Sequence, residues 1–251
     1  MGKKTQRLAG GALLGAVASG ALAVGALSGA GTASATCASI GGVGNSANCQ
    51  SSFGSFAVGL GPNTSAAAQG LFNGAVATGS GTSAAAAGGP FNFAYAGGKN
   101  SAAVAGGQGF NVAIAQGDTS GATATGLGNG AINLGNKSVV SANGIGNLAA
   151  SIGNDNLVVA NGVLNSAVNV GNRNSVGAGG IFNRAFNFGN DNQVAAANVP
   201  TSNFDFGNNT ALSFGNKNIV QAGTKTSPNN NFAAGIGNNK TAQNGINTVN
   251  P

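Results

Sequence analysis

Four carboxylates, Asp118, Asp155, Asp191 and Asp205, are the whole acidic complement of the 251-residue chain, which has no Glu and no His. Sugar hydrolysis needs two facing carboxylates, one of them held protonated. Asp155 and Asp191 are the pair to weigh. The sequence register sets them two repeats apart, about 10 Å at strand spacing, with Arg173 between them. A cation in that position keeps both ionised and removes the proton donor. Ser and Thr are abundant, but a hydroxyl without a base is not a nucleophile. The two cysteines, Cys37 and Cys49, lack the His or Glu that would complete a metal set. The residues therefore predict no catalytic, metal or cofactor site. A carbohydrate-acting enzyme on a β-helix scaffold is the alternative reading.

The N-terminus has the order of a secretory signal: Lys3, Lys4 and Arg7, then an Ala/Gly/Leu/Val run to about Leu27, then Ala33-Ser34-Ala35. Cleavage is expected after Ala35, leaving a secreted or cell-surface chain with no transmembrane segment. In that setting Cys37 and Cys49 are expected to pair, and so short a loop stabilises by about 3 kcal/mol. The leader carries three of the ten basic residues. The other seven are scattered singly, which excludes a nucleic-acid surface, since neutralising several phosphates takes clustered cations.

The elements that must position everything else are legible as a period. Steps of eighteen connect Gly135, Gly153, Gly171 and Gly189, and also Leu127, Ile145, Val163 and Ile181. Such a register predicts an all-β fold, a parallel β-solenoid or β-roll with about 18 residues and two short strands per coil. About ten coils are expected. The expected segments are a signal peptide (1–35), a disulfide-containing cap (36–55), the solenoid (56–222), a loop insertion (223–231), and a last coil with a tail (232–251).

Alternation by two sets the faces of each strand. In the first half-coil Ile132/Leu134, Ala150/Ile152, Val168/Val170, Phe186/Phe188 and Phe204/Phe206 are assigned to the core, with Ala94 in the same inward column. Asn133, Ser151, Asn169 and Asn187 then face outward, as does an all-Ala column at 57, 75, 113, 131, 149, 167 and 185. In the second half Val140/Ala142, Val158/Ala160, Val176/Ala178 and Val194/Ala196 are assigned inward. Gly and Asn at the corners supply positive φ. Asn136, Asn154, Asn172 and Asn190, joined by Asn156, Asn174 and Asn192, are expected to stack as amide ladders. Lys137, Asp155, Arg173 and Asp191 form a column of alternating sign, each charge beside its opposite. Phe91, Phe93 and Tyr95, together with Phe182, are candidates for an interaction surface, and Asn133, Asn169 and Asn187 join them as an outward amide row.

The phrasing Asn73-Gly74-Ala75-Val76-Ala77-Thr78-Gly79 and Asn100-Ser101-Ala102-Ala103-Val104-Ala105-Gly106 resembles the head repeats of YadA-like trimeric autotransporter adhesins, over about residues 55–198. That resemblance implies a bacterial surface, adhesion and a homotrimer, although no heptad stalk is present. The Asn/Gly richness is similar, more weakly, to repeat tracts of mycobacterial PPE proteins. The nine-plus-nine spacing is similar to the calcium-binding RTX β-roll, but Asn, Lys and Arg stand where carboxylates would be needed, so no calcium dependence is expected. The expected role is a non-catalytic structural or adhesive repeat protein. Its expected partners are a host surface, a cell-wall polymer or further copies of itself.

Overall fold

A computed structural model describes residues 36–197, 207–223, 229–244 and 246–248. The described residues contain strands and turns and no helix. They build a parallel β-solenoid of about ten turns with two walls. The signal segment, Phe204, Asp205, Phe206 and Pro228 lie outside the described residues.

An antiparallel hairpin, β1 (Thr36–Ile40) and β2 (Val43–Gly44), closes the N-terminal end of the first wall. That wall continues through β4 (Phe56–Leu60), β6 (Gly74–Ser80), β8 (Phe93–Lys99), β10 (Val112–Gln116), β12 (Gly130–Leu134), β14 (Leu148–Ile152), β16 (Ser166–Val170), β18 (Arg184–Phe188), β20 (Thr210–Phe214), β22 (Phe232–Ile236) and β24 (Ile246–Thr248). The second wall comprises β3 (Cys49–Ser51), β5 (Ser65–Ala68), β7 (Ser83–Gly88), β9 (Ala102–Gly109), β11 (Gly121–Leu127), β13 (Val139–Ile145), β15 (Leu157–Val163), β17 (Ser175–Ile181), β19 (Gln193–Ala197), β21 (Ile219–Ala222) and β23 (Thr241–Gln243). From β4 onward the pairings of the first wall are parallel and in register, as in Gly130↔Leu148, Ala131↔Ala149 and Ile132↔Ala150.

The glycine corners hold this register. Gly144 has φ 112°, and a Cβ there would lie 2.0 Å from the carbonyl oxygen of Gly162 in the next coil. Only a bare backbone allows that approach. At the N-terminal end Cys37 and Cys49 form the expected disulfide, buried beside Gly59, where a Cβ would lie 2.6 Å from Cys37 Sγ. The bridge ties β1 to β3, and a two-residue edge strand limits further strand addition.

The inward and outward faces of the first wall are the reverse of the sequence expectation. Ala131, Ala149, Ala167 and Ala185 are fully buried, and so are Asn133, Ser151, Asn169 and Asn187. Leu134, Ile152, Val170 and Phe188 are exposed, with Ile132, Ala150, Val168 and Phe186 half-exposed beside them. The second wall is as expected, with Val140, Val158, Val176 and Val194 buried over their Ala neighbours. The reason is width. Short corners, such as the four residues 135–138 before β13 and the two residues 146–147 after it, hold the walls so close that Val on one side leaves room only for Ala, Ser or a hydrogen-bonded Asn on the other. The buried amide nitrogens find partners: Asn187 Nδ2 donates to Asn169 Oδ1 at 2.7 Å, and Asn133 Nδ2 to the Ser138 carbonyl at 2.7 Å, while Asn133 Oδ1 accepts no hydrogen bond.

Two register expectations also change. Tyr95, not Ala94, aligns with Val76 and Ile114, because two successive coils each carry one extra residue near Pro90 and Gln108. The rung after Phe186/Phe188 is Leu212/Phe214, and Phe204 and Phe206, expected there, lie outside the described residues.

Candidate interaction surface

The chemistry-bearing column lies on the corner between the first wall and the second. Lys137, Asp155, Arg173 and Asp191 follow one another there, each with φ between 51° and 57°. Arg173 Nε donates to Asp191 Oδ1 at 2.6 Å and Nη2 to Oδ2 at 2.9 Å, a two-pronged pair. It is the one ion pair of this column among the described residues. The hydrogen bond from Arg173 holds the Asp191 carboxyl below its ordinary range, and the Arg173 guanidinium is raised in return. A carboxylate so paired is a poor proton donor. Among the described residues no group of three or more His, Cys, Asp or Glu could hold a metal ion.

The same corner carries the expected amide ladder. Asn136, Asn154, Asn172 and Asn190 each donate a backbone N–H to the side-chain oxygen of the next Asn at 2.9 Å. Asn156, Asn174 and Asn192 form a second, buried ladder. Asn133, Asn169 and Asn187, expected outside, are sealed in the core and present nothing to a partner.

On the opposite corner the chain is apolar. Phe91 is half-exposed with φ 62°, and its ring stacks on Phe72 (centroids 5.4 Å apart) and on Phe110 (5.2 Å). Leu164 and Phe182 continue this column four and five coils beyond Phe91. A bulky residue in the left-handed region is uncommon, so three stacked Phe there form a built feature of the surface. Phe93 and Tyr95 are not part of that ladder. They point outward from β8 on the first wall, and buried Asn92 separates them from Phe91. Phe72 and Phe110 are not among the candidates that alternation by two offers, although steps of nineteen from Phe91 reach both and each is followed by Asn.

These apolar features form one surface. Of 22 large apolar residues well exposed among the described residues, nine lie on the outer face of the first wall and seven on the adjoining corner. The second wall's outer face is more polar, with Thr125 Oγ1, Asn143 and Asn161 linked along the axis. The first face of the solenoid is therefore the more apolar, and the second is mixed, with Val104, Val139, Leu157 and Ile219, and Ile145 where β13 meets the corner, exposed among its polar groups. No known protein family, curated protein or solved structure compared with the chain matches it. Among the described residues no helix is long and apolar enough to cross a membrane.

Proposed function

We propose that this chain is a secreted or cell-surface structural or adhesive repeat protein, non-catalytic, with the outer face of its first wall as the working surface. The observation that carries this reading is the apolar run Leu134, Leu148, Ile152, Val170, Phe188 and Phe214, exposed in successive coils. Contiguous apolar area of that length marks an interaction site rather than ordinary surface. The buried disulfide fits an oxidising compartment, and the adhesin-like phrasing of residues 55–198 points the same way. The Arg173–Asp191 pair counts against a glycosidase, because it leaves Asp191 ionised.

An array of glycans, matrix proteins and the chain itself tests the reading. It is probed with the wild type, with the wall variant Ile132→Glu/Ile152→Glu, and with Val139→Glu/Leu157→Glu on the polar wall. Binding to any spot that is lost only in the first variant is expected. Binding insensitive to the wall, or none at all, overturns the proposal.

A further inference from the structure

The working surface has a regular geometry that narrows its partner. Ten strands, β4 to β22, present outward side chains in columns along the axis. At about 4.8 Å per rung and five residues of about 3.3 Å each, the face covers about 800 Å². Two such faces in contact bury about 1,600 Å², the size of a standard specific interface.

Chemistry restricts the occupant further. At the exposed positions of these ten strands the charges are Lys99, where β8 ends, and Arg184, where β18 begins. The surface therefore offers a partner little electrostatic discrimination and few hydrogen bonds. It rewards only an apolar face with matching rung spacing along its length. The chain's own second wall fits less well, since Thr125, Asn143 and Asn161 interrupt its exposed Val139 and Leu157 with polar groups.

We infer that the occupant is the same wall of a second copy, giving a face-to-face dimer. This inference rests on the reading of the first wall as the working surface. Two like patches related by a two-fold axis are self-complementary and close the assembly. Pairing uses both apolar walls and leaves both polar walls in water, so growth stops at two, rather than the three that the adhesin resemblance implies.

Sedimentation equilibrium on protein purified from the medium of cells expressing the full sequence tests this. The wild type is expected as a dimer, and Ile132→Glu/Ile152→Glu is expected to weaken self-association at least 100-fold with its β-sheet circular dichroism unchanged. Val139→Glu/Leu157→Glu is expected to remain dimeric. A wild type that sediments as a monomer at 100-fold dilution steps up to the highest soluble concentration overturns the dimer without recourse to any variant, and so does a trimer. A dimer lost only in the polar-wall variant overturns it too. The array separates the two proposals: wall-dependent binding to other spots with no self-spot sinks the dimer alone, and no wall-dependent spot at all sinks both.

Discussion

Asn129 Oδ1 accepts two hydrogen bonds from Asn147 one coil later, one from its backbone N–H at 2.9 Å and one from its Nδ2 at 3.1 Å. Asn147 Nδ2 also reaches the carbonyls of Asn143 and Gly162, both at 2.7 Å. One buried amide thus connects three coils by donating to carbonyls near the ends of β13 and β15.

Replacing Asn147 with Ala removes these side-chain hydrogen bonds and takes from buried Asn165 the Oδ1 to which its N–H and Nδ2 donate. A loss of about 2–4 kcal/mol is expected from two or more unmade buried hydrogen bonds. Asn154→Ala, in the exposed ladder of the other corner, is expected to cost about 1 kcal/mol or less, since water replaces its partners. Urea unfolding of the two variants checks the difference.

The corner glycines offer a sharper test of stacking. A Cβ at Gly144 meets the Gly162 oxygen at 2.0 Å and φ 112° is itself unfavourable to an L-residue. Gly144→Ala is expected to lose about 2–4 kcal/mol through backbone shift and strain. Gly177→Ala, on an outward position with nothing within 4 Å of its Cβ, is expected to be close to neutral. Thermal midpoints measured side by side decide it.

Phe91 combines an unfavourable backbone with two ring contacts. Phe91→Gly relieves the first and loses the second, so its stability is expected to lie within about 1 kcal/mol of wild type. Phe91→Ala keeps the positive φ and loses the rings, and is expected to fall below the Gly variant by about 1 kcal/mol. An Ala variant as stable as the Gly variant would show that φ is not positive there.

The ion pair predicts a direction with pH. Asp191 is held below its ordinary pKa in the fold, so the pair's contribution is present above the unfolded carboxylate pKa of about 3.9 and is lost as pH falls through the folded value. In Arg173→Gln the Asp191 midpoint, followed by NMR, is expected to rise toward about 3.9. The acid-induced loss of stability is expected to shrink in that variant. An unchanged midpoint contradicts the pairing.

The period was readable because a solenoid repeats every side-chain environment, so Gly135, Gly153, Gly171 and Gly189 report the same corner four times. The face of the first wall is not legible in the same way, because alternation gives two faces without saying which is inside, and hydrophobicity alone points to the wrong one. That guide holds where a core is wide. Here Val140 and Val158 fill the interior from one side, and Ala131 and Asn133 are what the remaining width admits. The spacing held the clue: Ala recurs at 131, 149, 167 and 185 without exception, whereas the neighbouring column ranges from Ala150 to Phe186. A column that tolerates such a range of volume faces outward. The aromatic ladder was hidden for another reason, because Phe72, Phe91 and Phe110 lie across coils of nineteen residues and outside any alternating strand.

Thiol labelling tests the inverted wall most directly, since the chain's own cysteines are paired. Ala131→Cys and Ile132→Cys are compared at dilutions where the protein sediments as a monomer. The account predicts that Cys at position 132 reacts at a rate close to that of a free thiol and that Cys at position 131 reacts only through unfolding. The reverse order of rates would put Ile132 in the core and contradict the apolar outer face.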